Sequence, residues 1–226
     1  MSSKHFKQDL FAQFARVAKA MSNGNRLELL EFLAQGERSV DALAQVSGLT
    51  VANTSQHLQL LRQSGLVESH KEGLQVFYRL SGEDVQILLS ALRDVAERHL
   101  ADVDRLVNTY LVSKDALEPI PATELLKRAK KGLVTVLDVR PREEYEAGHL
   151  PGAINIPLDS LEKHLSDLDN QKEVVAYCRG PHCVLAFDAV ARLRKKGFTA
   201  HRLDGGLPEW RLSGLPVIED DGLTLE

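Results

Sequence analysis

The sequence has only two cysteines among its 226 residues, too few for a disulfide scaffold. No apolar run approaches the roughly 18 residues that a membrane-spanning helix needs. Lys4, Lys7 and Asp9 precede any apolar stretch, so we expect no secretory signal and no membrane partner. The expected compartment is a reducing cytoplasm, where a cysteine is more often reactive or buried than paired. The net charge of −4 excludes a chain that holds nucleic acid by bulk charge, but allows a local basic face.

The composition is that of a folded protein, with 43% hydrophobic and 27% charged residues, and at about 150 residues per domain the length allows one or two domains. Pro119 and Pro121 discourage a helix at the join of two differently patterned halves. We predict domains over residues 1–112 and 120–226, with a linker over 113–119. The fold class is α/β overall: a mostly helical helix-turn-helix domain with a β-hairpin wing, then an open α/β domain with a parallel sheet.

Apolar spacing and turn residues predict the individual elements. In the first half, helices are expected over residues 7–21, 26–35, 40–46, 51–63 and 83–111, and strands over 67–70 and 76–80. In the second half, strands are expected over 133–139, 173–177 and 199–203, and helices near 122–130, 160–164, 184–196 and 207–213. The apolar stripe of the helix over 83–111 is too long for a small domain to cover, so it packs against a second copy or against the second domain.

The helices over 40–46 and 51–63 flank a turn that holds Gly48, which is the spacing of a helix-turn-helix. Polar residues of the second helix would face outward, where amides can bond adenine and hydroxyls can reach bases or phosphates. Basic residues nearby would add phosphate contacts. The alternative is a polar face that is only solvated. The candidate DNA-binding residues are Thr50, Asn53, Ser55, Gln56, His57, Gln59, Arg62, Lys71 and Arg79.

Four ordered stretches, NRLELL (25–30), SVDALA (39–44), GLTVANTSQHLQLLRQSGLV (48–67) and GLQVFYRL (73–80), resemble the ArsR/SmtB family of winged-helix repressors over about residues 7–110. The resemblance implies a homodimer paired through its first and last helices. It also implies binding to double-stranded operator DNA with dyad symmetry, and release by an inducer.

Two features of that family are missing. The third helix carries no Cys-x-Cys pair of the arsenic-sensing kind. Of the metal site on the last helix of zinc-sensing members, only His99 and Asp102 are present, with Gln86 and Leu88 in the other half. A metal needs three or four ligands, so we expect no metal and no cofactor, and His99 is expected to be a partly buried structural residue.

Both cysteines lie in the stretch CRGPHC (178–183), directly after a predicted strand and before a helix. Such a loop can point backbone N–H groups inward and, with the helix dipole, stabilise an anion. We therefore expect a Cys178 thiolate with a lowered pKa, or its persulfide, with Arg179 and His182 offering positive charge and Gly180 allowing the bend. The alternative is a small buried cysteine at the end of a strand.

The flanking stretches LDVRPREEYEAGHLPGAINIP (137–157) and DGGLPEWRLSGLPV (204–217) resemble the two signatures of the rhodanese family over about residues 118–219. The resemblance implies that Cys178 takes sulfane sulfur from thiosulfate or a polysulfide and passes it to cyanide, a thiol or a protein. Asp138, Arg140 and His149 match the first signature, and we interpret them as scaffold residues.

Cys183 stands where such loops often end in a cationic or hydroxyl residue, which argues against ordinary thiosulfate turnover. It either resolves a persulfide on Cys178 or is an inert thiol at the helix start. The candidate catalytic residues are Cys178, Arg179, Gly180, His182 and Cys183.

Three functions remain open: a regulator that senses or transfers sulfane sulfur, a sulfurtransferase with a DNA-tethering or dimerising module, and a non-catalytic docking domain. An oxyanion such as arsenate also remains a possible ligand of the loop.

Overall fold

The computed structural model describes residues 3–112, 114 and 118–219. The chain forms two compact units, one ending at Ala91 and the other beginning at Leu92. No helix among the described residues is long and apolar enough to cross a membrane. Residues 113 and 115–117 of the predicted linker lie outside the described residues, and the domain bounds stay a prediction.

The first unit has the predicted helix-turn-helix with a β-hairpin wing. Asn23 and Ser39 cap two of its helices by accepting hydrogen bonds from the backbone N–H groups of Arg26 and Ala42, both at 3.2 Å. Its elements are α1 (Ser3–Met21), α2 (Gly24–Leu33), β1 (Arg38–Ser39), α3 (Val40–Ser47), α4 (Val51–Gln63), β2 (Val67–Glu72) and β3 (Gln75–Leu80). The three strands form an antiparallel sheet in the order β1-β3-β2.

The turn between α3 and α4 contains Gly48 in the left-handed region, with a φ of 69°. Leu43, Leu58 and Leu61 from the two helices are fully buried, as their spacing predicts. They set the angle at which α4 leaves the core, and so the face of α4 that remains available for a ligand.

The single helix predicted over residues 83–111 is wrong. The chain forms α5 (Glu83–His99), an extended residue at Leu100, α6 (Ala101–Val107) and a π-helical turn (Asn108–Val112). Basic side chains favour the end of a helix and acidic side chains favour its start. The last turn of α5 contains Arg98 and His99, and the first turn of α6 contains Asp102 and Asp104, so the sequence favours the end of one helix and the start of another here. His99 is exposed, so the expectation that it is partly buried is wrong as well.

The second unit is the predicted open parallel sheet with helices. Its elements are the last part of α5, α6, α7 (Ala122–Lys130), β4 (Val134–Asp138), α8 (Arg142–Glu146), β5 (Ile154–Asn155), β6 (Glu173–Tyr177), α9 (Val184–Lys195), β7 (Ala200–Arg202) and α10 (Leu207–Leu212), with 3₁₀ turns at Leu161–Lys163 and Leu165–Asp167. The strand order is β5-β4-β6-β7, with all pairings parallel. The fold class predicted from the sequence is confirmed.

Strand β6 positions the cysteine loop, which we define as residues 178–183. Successive side chains of a strand point to opposite faces. Val174 and Ala176 lie in a core cluster on the side of α9, and Val175 and Tyr177 lie in the cluster on the other side. Cys178 continues the first of these faces, and its side chain therefore enters the apolar core.

Candidate functional site

The exposed face of α4 carries most of the predicted DNA-binding residues. Thr50, Gln56 and Gln59 are exposed, while Asn53 and Ser55 are half-buried. Thr50 also caps the helix, because its Oγ1 accepts a hydrogen bond from Asn53 N at 3.2 Å. The first turn of α4 is thus held rigidly with short polar side chains around it, which suits an element that reads a DNA groove.

His57 is half-buried, so its side chain is less exposed than expected. Its Nδ1 atom is buried and has no hydrogen-bond partner among the residues that the structure describes. Burial and, to a smaller extent, the charge of Arg26 lower the pKa of His57. The imidazole is therefore neutral at pH 7, and we no longer expect it to contact a phosphate.

The basic residues near the wing are partly engaged by neighbours. Arg62 donates to Ser69 Oγ at 3.0 Å, and Arg79 pairs with Glu68 at 2.9 Å on the exposed surface of the hairpin. Lys71 is exposed on β2. The positive charge of the wing is moderate, since one acidic side chain already offsets Arg79.

The cysteine loop joins the carboxyl end of β6 to the start of α9. Cys183 N donates to Gly180 O at 3.1 Å, which closes a tight turn, and Leu207 N donates to Cys178 O at 3.2 Å. Gly180 is buried beneath this turn. Backbone N–H groups lower the pKa of both thiols, those of Gly180 and Ala186 at Cys178 and those of Arg179 and Leu185 at Cys183.

The expectation of an accessible Cys178 thiolate is wrong. Cys178 has 0% of its surface exposed, and its Sγ lies 3.4 Å from the carbonyl oxygen of Cys183. Burial, and then the hydrogen bond that its S–H donates to Cys183, raise the pKa of Cys178 well above its ordinary value. The two inward N–H groups act in the opposite direction but do not offset burial, so Cys178 is a protonated thiol at pH 7.

Cys183 is the more acidic thiol of the loop. It is half-buried, and the interaction with Cys178 lowers the pKa of Cys183 against the opposing effect of burial. The N–H groups of Arg179 and Leu185 and the charge of Arg179 lower this pKa further. The lowered pKa predicted for the first cysteine of the loop therefore belongs to the last one.

The two expected cations of the loop are not available to an anionic donor. Arg179 forms a bidentate pair with the fully buried carboxylate of Glu144 on α8, with Nη2 2.6 Å and Nε 3.0 Å from Oε1. Burial lowers the pKa of His182, so this side chain is neutral at pH 7. Since Glu144 can only accept, its charge fixes Arg179 and through it the backbone of the loop.

A second buried pair supports the strand ends next to the loop. Arg140 and Asp138 are both completely buried, and Nη2 of Arg140 lies 2.6 Å from Oδ2 of Asp138. Nη2 of Arg140 also donates to Gly148 O at 2.7 Å. The hydroxyl of Tyr177 accepts from Leu150 N at 3.1 Å. His149 is buried and stacks on Tyr145, with ring centroids 3.8 Å apart. The interpretation of Asp138, Arg140 and His149 as scaffold is confirmed by this burial.

Glu144, Gly206 and Glu209 were missed at the level of the sequence. A Cβ on Gly206 would lie 2.4–2.5 Å from backbone atoms of Cys178, Arg179 and Gly180, so only glycine fits against the loop. Glu209 Oε2 accepts from Gly206 N at 2.9 Å. The DGG stretch before α10 carried a weak signal for such a close approach; nothing in the local pattern marked the two glutamates.

Two units with these folds define a helix-turn-helix regulator joined to an open α/β domain that carries a loop with two cysteines. A family model for bacterial regulatory proteins of the arsR family matches residues 23–69, and a model for the rhodanese-like domain matches residues 121–213. The chain is 49% identical over 213 residues to the HTH-type transcriptional regulator Rv0324 of Mycobacterium tuberculosis, covering 94% of this chain and 93% of that protein. The chain thus belongs to the arsR family of transcriptional regulators, as a member with a C-terminal rhodanese domain.

Two solved structures are similar to single parts of the chain. One is the homodimeric winged helix-turn-helix DNA-binding domain (fragment 1-100) of Mb0332 from Mycobacterium bovis, with 44% identity, a TM-score of 0.42, and coverage of 45% of this chain and 93% of that chain. The other is a rhodanese-related protein from Thermoplasma volcanium, with 30% identity, a TM-score of 0.41, and coverage of 45% of this chain and 98% of that chain.

Proposed function

We propose that this regulator is a homodimeric repressor that binds double-stranded operator DNA and leaves it when sulfane sulfur reacts with the cysteine loop. The observation that carries the proposal is that two unlike thiols close one tight loop: Cys178 is completely buried with its Sγ 3.4 Å from the carbonyl oxygen of Cys183, and Cys183 is half-buried. A dithiol of this kind can be converted from two free thiols to a bridged form. The only two cysteines of the chain are thus adjacent and chemically distinct.

The dimer is supported by apolar faces that one chain leaves uncovered. Helix α1 exposes Phe6, Leu10, Phe11 and Phe14, and helix α5 exposes Ile87, Leu88, Leu92 and Val95. Large exposed apolar patches on a folded chain are typical of interaction surfaces. A second copy that pairs through the same two helices would bury both faces and would present two α4 helices to a DNA site with dyad symmetry.

The proposed chemistry starts at Cys183. Its thiolate attacks the S–S bond of a hydropolysulfide, forms a new S–S bond and releases hydrosulfide, which leaves a persulfide on Cys183. The Cys178 thiol then attacks the inner sulfur of that persulfide and its proton leaves with the departing sulfide. The result is a Cys178–Cys183 disulfide and hydrogen sulfide, so the two electrons of the thiols reduce the sulfane sulfur.

The charges around the loop favour a polysulfide over thiosulfate as donor. Thiosulfate carries two negative charges, whereas Arg179 is already neutralised by Glu144 and His182 is neutral at pH 7 because burial lowers its pKa. A donor with one charge or none meets a smaller desolvation penalty at this half-buried site. A thiol is the corresponding acceptor when the persulfide on Cys183 passes its sulfur on.

The test uses full-length chain and a fluorescent duplex that the untreated chain has enriched from a random-sequence library. Inorganic polysulfide is expected to weaken binding by about 5- to 150-fold, the usual range of coupling between two sites, and a dithiol reductant to restore it. Cys178→Ser and Cys183→Ser are expected to bind the untreated duplex normally and to respond less than twofold.

The proposal fails when the wild-type affinity does not change, or when both serine variants respond like the wild type. Turnover of polysulfide or thiosulfate with cyanide at an unchanged DNA affinity would support the sulfurtransferase instead. Neither turnover nor a change in affinity would favour a docking domain.

A further inference from the structure

Helix α5 passes from the first compact unit into the second. Val85, near its start, belongs to the buried core of the first unit, and the second unit begins at Leu92. Arg93 and Glu97 lie four residues apart in the part of α5 that belongs to the second unit, and therefore on the same face of the helix. Both side chains form contacts that lead to the cysteine loop.

The first contact runs through Glu209. Nη1 of Arg93 lies 2.7 Å from Oε1 of Glu209, and both side chains are about three-quarters buried. The other oxygen, Oε2, accepts the N–H of Gly206 at 2.9 Å. One carboxylate thus connects α5 to the start of α10.

The start of α10 is packed directly on the loop backbone. Leu207 N donates to Cys178 O, and Gly206 has no room for even one added carbon against Cys178, Arg179 and Gly180. A shift of the loop backbone therefore displaces Gly206, and with it the N–H that holds Glu209.

The second contact is direct. Nε2 of His182, the residue before Cys183, lies 3.3 Å from Oε1 of Glu97. The loop is thus joined to α5 at two points one helical turn apart.

We propose that Arg93 and Glu97 are positioning residues through which helix α5 responds to sulfur bound at the cysteine loop. The inference rests on the proposed function. Cys178 is completely buried in a close-packed core, so we expect a bridge between Cys178 and Cys183 to displace the loop backbone. That movement changes the Glu209 and His182 contacts, and α5 is the helix that continues into the DNA-binding unit.

The variants for the test are Arg93→Gln, Glu97→Gln and the double variant in the full chain. Arg98→Gln is the matched control, because it removes the same charge as Arg93→Gln from the same helix at an exposed residue whose Nε donates to Asp94 O within α5. The probe is the enriched duplex described above, treated with inorganic polysulfide, while mass spectrometry follows the two cysteines.

The wild type and Arg98→Gln are expected to lose affinity to the same extent on treatment. The double variant is expected to bind the untreated duplex like the wild type, to acquire the same cysteine modification, and to lose less than twofold in affinity. A double variant that responds like the wild type overturns the inference and leaves the proposed function intact.

A second measurement separates the inference from sulfur chemistry altogether. Alkylation of Cys183 by iodoacetamide enlarges the loop without any sulfane sulfur, and amide hydrogen exchange then reports on residues 83–99. Exchange is expected to change in the wild type and in Arg98→Gln but not in the double variant. Equal changes in all three chains, or no change in any, contradict the inference even where polysulfide has no effect on DNA binding.

Discussion

The S–H of Cys178 donates a hydrogen bond to the carbonyl oxygen of Cys183, 3.4 Å from its Sγ. Burial raises the pKa of Cys178, and the interaction with Cys178 lowers the pKa of the half-buried Cys183. Burial therefore decides which of the two thiols is the more acidic. The first cysteine of the loop is shielded by the core on the side of α9, and the last one lies at the start of that helix, where backbone N–H groups favour an anion.

Alkylation by iodoacetamide is expected to begin at Cys183, because the thiolate is the reactive form and the pKa of Cys183 is lowered while that of Cys178 is raised. The rate at Cys183 should rise through a midpoint below that of a free cysteine, and Cys178 should react only at higher pH. Site-resolved mass spectrometry over a pH series measures both rates.

Cys178→Ala should move the midpoint of the alkylation rate at Cys183 to higher pH, because it removes the S–H group of Cys178 that lowers the pKa of Cys183. Cys178→Ser is the control, since its hydroxyl still donates, and its midpoint should stay closer to that of the wild type. An alanine variant that titrates like the wild type would show that the hydrogen bond does not set the acidity of Cys183.

Arg179→Gln is expected to destabilise the second unit by about 3–5 kcal/mol, because it removes the guanidinium that pairs with the buried carboxylate of Glu144. Trp210, the one tryptophan of the chain, is buried in this unit, so its fluorescence follows urea unfolding of the unit selectively. The double variant Arg179→Met with Glu144→Leu should recover much of the loss, as apolar replacements of buried pairs do.

Arg142→Gln provides the control for that experiment, since Arg142 pairs with Glu146 on the surface of the same helix, α8. Surface pairs contribute little, and no measurable change is expected. If Arg179→Gln lowers the free energy of unfolding no more than Arg142→Gln does, the buried pair of Arg179 and Glu144 does not stabilise the loop.

Replacement of Phe11 and Phe14 by serine should convert the dimer to a folded monomer. Both rings are more than half exposed in the single chain, so their removal costs little within one copy but removes apolar surface from the proposed interface. Sedimentation velocity gives the mass and circular dichroism the helix content. Leu74→Ser, at the fully exposed tip of the wing, is the control, and equal sedimentation of all three chains would contradict the proposed pairing.

Gln56→Ala and Lys71→Gln should weaken DNA binding in different ways. Gln56 is exposed on α4, and its loss should relax the preference at one base pair by about 1–3 kcal/mol. Loss of Lys71, which lies on the wing, should lower the affinity for all duplexes alike. It should also reduce the salt dependence of binding by about one counterion. Fluorescence anisotropy over a salt series and a panel of single-base variants distinguishes the two effects, and an unchanged base preference for Gln56→Ala would argue against readout by α4.

Strong local signals allowed most of the fold to be predicted from the sequence. Helices α4 and α7 have the predicted ends, because a cap or a proline precedes each and a polar or glycine-containing turn follows. Strands β1 and β5, with two residues each, and helix α8, with five, are too short for periodicity to reveal. The break at Leu100 escaped prediction because the apolar stripe continues across it.

The candidate site was predicted in outline but not in its charge distribution. The alternation of Val174, Ala176 and Cys178 already places the cysteine on the buried face of β6, and this periodicity outweighs the exposure expected of a loop residue. The partners Glu144 for Arg179 and Glu97 for His182 are distant in sequence, so their effect on the loop cations required the tertiary structure.

In the proposed reaction, sulfane sulfur enters the chain at Cys183 and ends in a bridge to Cys178. Mass spectrometry of unreduced peptides from the polysulfide-treated full chain locates the sulfur. We expect peptides in which the two cysteines are joined by two or more sulfurs, preceded at short times by a persulfide on Cys183. A persulfide confined to Cys178, with Cys183 still a free thiol, would exclude this reaction.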